Sequence, residues 1–99
     1  MLEQISKAAF AEQVKTKFRA ELADLPAFEL ELTEVKEFAA TPAIEQFSLF
    51  FLGPPEAPIW QGIYRLTHEQ LGTQEIFLVP VGRDQAGVEY EAVFNRFLK

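Results

Sequence analysis

Cysteine is absent from this chain, so no disulfide staples the fold and no thiolate serves as nucleophile or metal ligand. That absence suits a reducing compartment, and the expected location is cytoplasmic. Histidine occurs once, at His68. One imidazole with scattered carboxylates does not make a zinc site, which takes about three or four protein ligands. Basic residues are scarce as well: nine Lys and Arg stand against fifteen Asp and Glu, for a formal charge of −6. Nucleic acid and anionic membranes bind through Lys and Arg, so neither is an expected partner. No apolar run approaches the ~18 residues of a membrane span. The longest, 48–53, reads as a strand, and Met1-Leu-Glu-Gln-Ile5 lacks the basic start and apolar stretch of a signal peptide.

What is present is aromatic. The 99 residues include ten Phe, two Tyr and one Trp, and 48% of the chain is apolar. Such a length is one domain, and the aromatic side chains supply one compact core with large rigid groups. There is no repeat, no low-complexity segment and no linker between domains.

The periodicity divides the chain into a helix and six strands. Ser6 is an N-cap, Ile5 and Phe10 have the spacing of a hydrophobic staple, and Phe10 and Val14 share a face, which predicts a helix over about 6–14. From Thr16 the period becomes two. Strands are predicted at about 16–23, 27–35, 46–53, 62–68, 74–82 and 87–95. Phe18, Ala20 and Leu22 alternate with charged residues, as do Phe28, Leu30 and Leu32. Val35 breaks the second series, so a β-bulge or strand end is expected near Thr33 or Glu34. Both faces of 47–52 are mostly apolar, and the helix is the expected cover for the outer one. Phe77-Leu-Val-Pro-Val-Gly-Arg-Asp84 and Gly87-Val-Glu-Tyr-Glu-Ala-Val-Phe-Asn95 read as a hairpin whose first strand is buried and whose second shows one face to water. Arg96-Phe-Leu-Lys99 is a tail that packs if Phe97 or Leu98 finds the core. The fold expected is mainly β: a single-domain antiparallel six-stranded meander curled into a small barrel or sandwich, with one short N-terminal helix.

Residues able to do chemistry are few and scattered. His68 next to Glu69 lacks an orienting partner, because neighbours on a strand point to opposite faces; it is expected near a turn with its ring partly solvated. Glu29 with Glu31, and Glu89 with Glu91, are paired carboxylates of the kind glycosidases use. Here they alternate with core residues, which makes them the wet side of amphipathic strands. No loop combines the acids and main-chain oxygens of a calcium site. The five glycines are dispersed and form no phosphate loop. No catalytic, cofactor-binding or metal site is expected, and no cofactor.

Two places suggest recognition instead. Gly53-Pro-Pro-Glu-Ala-Pro58 leads into Ile59 and Trp60, a stiff excursion that either presents Trp60 as an anchor or folds it back over one end of the barrel. Arg83 and Asp84 end the fifth strand, where Asp84 accepts hydrogen bonds in the turn and Arg83 pairs across it, or both meet a partner.

Leu2-Glu-Gln4, Phe18-Arg-Ala-Glu-Leu22, Phe47-Ser-Leu49, Gln61-Gly-Ile-Tyr-Arg-Leu66, Phe77–Asp84 and Tyr90-Glu-Ala-Val-Phe-Asn95 together resemble a family of short bacterial proteins described as a domain of unknown function. The resemblance spans nearly the whole chain, is most specific in the last two strands, and implies a soluble single domain without an assigned activity. The function expected is a non-enzymatic interaction or structural module, an accessory of a larger assembly, acting on an unidentified protein partner or on itself through Ile59, Trp60, Arg83 and Asp84. The alternative is a carrier of a small apolar ligand, held in a cavity lined by Phe28, Phe47, Phe77 and Phe94.

Overall fold

The computed structural model describes residues 5–97, with the backbone alone for Ala39 and Ala40. Leu2 to Gln4, which carry part of the family resemblance, and Leu98 of the tail lie outside the described residues. The elements are α1 (Lys7–Ala11), β1 (Lys17–Glu21), β2 (Phe28–Ala40), β3 (Ile44–Gly53), β4 (Gly62–His68), β5 (Gly72–Asp84) and β6 (Gly87–Phe97).

All pairings are antiparallel and the ring closes in the order β1-β2-β3-β6-β5-β4. The barrel is therefore two three-stranded meanders, β1–β3 and β4–β6, rather than one continuous meander. They are sewn together along β3–β6 and β1–β4, and closure leaves no long unpaired edge around the waist. The bulge expected near Thr33 is present, with the β2–β3 register shifting between Leu32 and Glu34. A second shift lies between Glu37 and Ala39. Another between Pro80 and Gly82 bends β5 beside a residue that cannot donate to a ladder.

The interior follows the alternation read from the sequence. Phe18 and Ala20, Leu30 and Leu32, Phe47, Leu49 and Phe51, Tyr64 and Leu66, and Val88, Tyr90 and Ala92 are all buried. Phe18 meets Phe51 edge-on at 5.3 Å, and Phe47 stacks on Phe94 at 4.8 Å with planes 6° apart. The guanidinium of Arg96 lies 4.9 Å from the Phe94 ring and 5.2 Å from Phe47, and 4.0 Å from Glu45. Burial lowers the Arg96 pKa and Glu45 partly opposes that. What reads as a tail from Arg96 instead continues β6, with Arg96 paired to Glu45 and Phe97 to Ile44; the Arg96 side chain docks, while that of Phe97 is 87% exposed and finds no core.

Three expectations need correcting. The helix stops at Ala11, because Glu12 to Lys15 turn the chain and Lys15 takes φ +76. The Ser6 cap is as expected, its hydroxyl accepting from Ala9 N at 3.0 Å. Secondly, α1 does not cover the outer face of β3. It plugs one end of the barrel, where Phe10 is buried 5.8 Å from Phe94. Ser48 on that outer face is buried nonetheless, with its hydroxyl donating to Glu91 Oε2 at 2.7 Å. Thirdly, β5 is not buried. Ile76 and Leu78 point in, whereas Phe77 and Val81 face water, because among the described residues nothing covers the outer side of the wall there. β2 runs past the expected end near 35 to Ala40, and Thr41 Oγ1 closes the turn to β3 by accepting from Ala43 N and Ile44 N. No helix among the described residues is long and apolar enough to cross a membrane.

Candidate interaction surface

One end of the barrel carries the β1–β2 turn, the β3–β4 connection and the β5–β6 hairpin. The connection, residues 54–61, must cross from one meander to the other, and prolines at 54, 55 and 58 limit the paths it can take. Two interior tyrosines hold it down. Tyr64 and Tyr90 are fully buried, 5.8 Å apart and edge to face. Tyr64 donates its hydroxyl to Trp60 O at 2.6 Å, and Tyr90 donates to Pro58 O in a close contact. Ala57 N donates to Pro54 O at 3.0 Å, and the Ala57 side chain is buried beneath the turn. Burial pushes the Tyr64 phenol up, against the pull of its bond to Trp60. Burial raises that of Tyr90 further, with the neighbouring Tyr64 adding to the effect.

The two fates weighed for Trp60 coexist. Its indole lies across Gly62, where an added Cβ would meet the ring at 2.0 Å, and its centroid is 6.0 Å from Tyr64. It closes part of the barrel mouth and still leaves 51% of its surface in water. Ile59 beside it is 61% exposed. Arg83 and Asp84 are exposed on the hairpin at the same end, with no hydrogen bond or ion pair to Ile59 or Trp60. Asp84 Oδ1 accepts from Ala86 N at 2.8 Å, the expected turn role. The ion pair expected of Arg83 does not form among the described residues.

A more extensive apolar surface lies on the outside of the wall, unannounced by any motif. Ile63 of β4 and Phe77 of β5 are direct cross-strand partners on the outside of the wall, 59% and 51% exposed. Val81, further along β5, and Val93 of β6 are exposed too. Strict alternation about Ile76 and Leu78 would have placed Phe77 outside. The unbroken apolar run Ile76–Val79 hid the phase.

His68 is not partly solvated; it is buried with both ring nitrogens engaged. Nδ1 accepts from Gln70 N at 2.9 Å and Leu71 N at 3.2 Å, which leaves the proton on Nε2. Nε2 then donates to Thr16 Oγ1 at 2.8 Å, and Thr16 donates onward to Gln13 O at 2.6 Å. With Phe18 packed 4.4 Å from the ring, His68 joins the turn after α1 to the β4–β5 turn. Neither nitrogen is free to take a substrate proton. Burial holds the imidazole below its ordinary pKa, against a smaller upward pull from Glu69.

That direction sets the sign of the pH dependence. As pH falls below about 6.5 the unfolded chain takes up a proton that the folded one refuses, so the contribution is complete above that value. It is lost as pH falls towards the folded-state pKa. Urea midpoints are expected to hold from about pH 8 to 7 and to fall as pH drops below about 6.5. His68→Gln should flatten that segment, and an unchanged slope in the variant would refute this assignment.

Among the described residues no three His, Cys, Asp or Glu side chains gather as metal ligands. Nor do the four phenylalanines expected to line a ligand cavity converge. Phe77 is outside the wall, Phe47 and Phe94 stack on each other, and Phe28 packs 6.3 Å from Tyr64. The model of the family described as Domain of unknown function (DUF6916) matches residues 5–94. Comparison with curated proteins and with solved structures returns no match.

Proposed function

We propose that this chain, which belongs to the DUF6916 family, is a non-catalytic interaction module that engages a protein through the outer face of β4 and β5. The observation that carries the reading is the exposed Ile63–Phe77 pair, with Trp60, Ile59 and Val81 also exposed on β5 and the segment leading into β4. Apolar side chains grouped on a sheet exterior gain by being covered, whereas singly scattered ones are ordinary. The scaffold beneath them is rigid, since the wall is closed and Trp60 rests on a connection that Tyr64 and Tyr90 clamp. A half-exposed Trp on a rigid base loses little entropy when it is buried by a partner. Catalysis has no comparable support: His68 is fully engaged by hydrogen bonds, and the paired glutamates line the wet side of their strands. The carrier alternative needs interior space where Tyr64, Tyr90, Phe18, Phe47 and Phe51 now pack.

The reading is tested with the double variant Ile63→Lys/Phe77→Lys, whose side chains already face water. Its far-UV spectrum and urea midpoint should match the parent within about 1 kcal/mol. Light scattering over a concentration series and affinity capture should show association by the parent and at least a tenfold loss in the double variant, with a smaller loss in Trp60→Ala. A parent that stays monomeric and retains nothing that the double variant does not would defeat the proposal.

A further inference from the structure

We propose that the trough between the β1–β2 turn and the β3–β4 connection accepts an extended segment of a protein partner in which an apolar side chain is followed by lysine or arginine. The inference rests on the interaction-module reading and supplies the chemistry of the partner at a second surface, beside the β3–β4 connection.

The trough has two joined lobes. The first, about 300 Å³, is lined by carbon of Leu25, Pro26, Phe28, Pro54 and Pro58 and also by Glu56. Its surface is mainly carbon, and two of its walls are preset: the prolines fix their own φ, and Phe28 is braced edge-on against Tyr64. A site of this kind accepts an aliphatic side chain with little rearrangement. The second lobe, about 470 Å³, shares Phe28, Pro54 and Glu56 with the first and continues over the outer face of β2 past Glu29, Glu31 and Lys17.

Charge selects the residue that comes after the apolar one. Three carboxylates, Glu29, Glu31 and Glu56, face one ammonium. That ammonium, Lys17, lies 3.9 Å from Glu31. Glu29 and Glu56 have no cation within ion-pair distance among the described residues. A cationic side chain entering this lobe meets three carboxylates against the single ammonium of Lys17, with Arg19, opposite Glu29 on β1, held 3.4 Å from Glu21, whereas an acidic segment is repelled. Main-chain strand addition is closed off here, because β2 is already paired with β1 at Phe18–Leu30 and with β3 at Glu31–Leu52. Recognition must come from side chains laid along the trough, which calls for an extended occupant.

The experiment titrates the 15N-labelled full chain with two pools of ten-residue peptides. In one, leucine or proline is followed by arginine; in the other, glutamate replaces every arginine. The arginine pool should shift the amide signals of Leu25, Phe28, Leu52 and Ala57 saturably. Its affinity should weaken several-fold when salt rises from roughly 50 to 200 mM. Glu29→Lys and Glu56→Lys, both at exposed positions, should each weaken it several-fold while leaving the remaining spectrum in place. An equal response to the glutamate pool overturns the proposal, as does the absence of any response. Shifts confined to the Ile63–Phe77 face overturn it too, but leave the module reading standing. Concentration-dependent shifts in the trough without peptide would assign it to a second copy of the chain and likewise overturn the proposal.

Discussion

Gly87→Ala is expected to remove about 3–5 kcal/mol of stability, enough to unfold a large share of a marginal domain at ambient temperature. Gly87 opens β6 with φ +144, a region L side chains rarely adopt. Its backbone also passes so close to β3 that an added Cβ would sit 1.9 Å from the Gly53 carbonyl oxygen. A carbonyl at the end of a paired strand cannot swing away as a flexible side chain would, so the β3–β6 register at Gly53–Val88 has to open. Gly72→Ala is the control: its φ is +77, but nothing lies within 4 Å of the added carbon. It should cost about 1 kcal/mol from backbone strain alone. Equal urea midpoints for the two variants would show that close approach at Gly87 contributes nothing.

Tyr90→Phe should cost about 1–3 kcal/mol, because the Pro58 carbonyl loses its donor while the ring packing stays. The damage is local as well as global. With one clamp gone, the Ala57 amide should exchange with solvent faster than in the parent, whereas amides in the β1–β2 ladder change only with global stability. The hydroxyl also sets the alkaline limit. Burial and the adjacent Tyr64 raise the folded-state pKa of Tyr90 above the ordinary 10.0. Its contribution is complete below about pH 10 and is lost as pH rises towards the folded value, since the unfolded chain releases the proton first. Tyr90→Phe should therefore unfold less steeply above pH 10 than the parent. Identical alkaline profiles would mean that Tyr90 does not couple ionisation to folding.

The strands were legible because the chain writes its inner face at period two. Phe18-Arg-Ala, Phe28-Glu-Leu-Glu-Leu and Val88-Glu-Tyr-Glu-Ala each say which residues go in, and each is right. The bulge after Leu32 was legible for the same reason, as a break in phase. Phe77 was misread where the alternation vanished into a continuous apolar run, which does not say which of its residues face out. The roles of His68 and Arg96 were not legible. Their partners Thr16 and Gln13, and Phe47 with Glu45, lie some fifty residues away in sequence, and nothing local announces the contact.

Side-chain alternation and backbone preference are local, and they made an acidic, cysteine-free, mainly β chain legible from the sequence, with the inward face of most strands and the positions of most turns. The strand order, the plugging of one end by Phe10, the clamping of the proline connection by two tyrosines and the exposure of Ile63 beside Phe77 come only with folding. Those depend on which segments meet when the sheet closes, and closure is a property of the whole ring that no single stretch of the chain encodes.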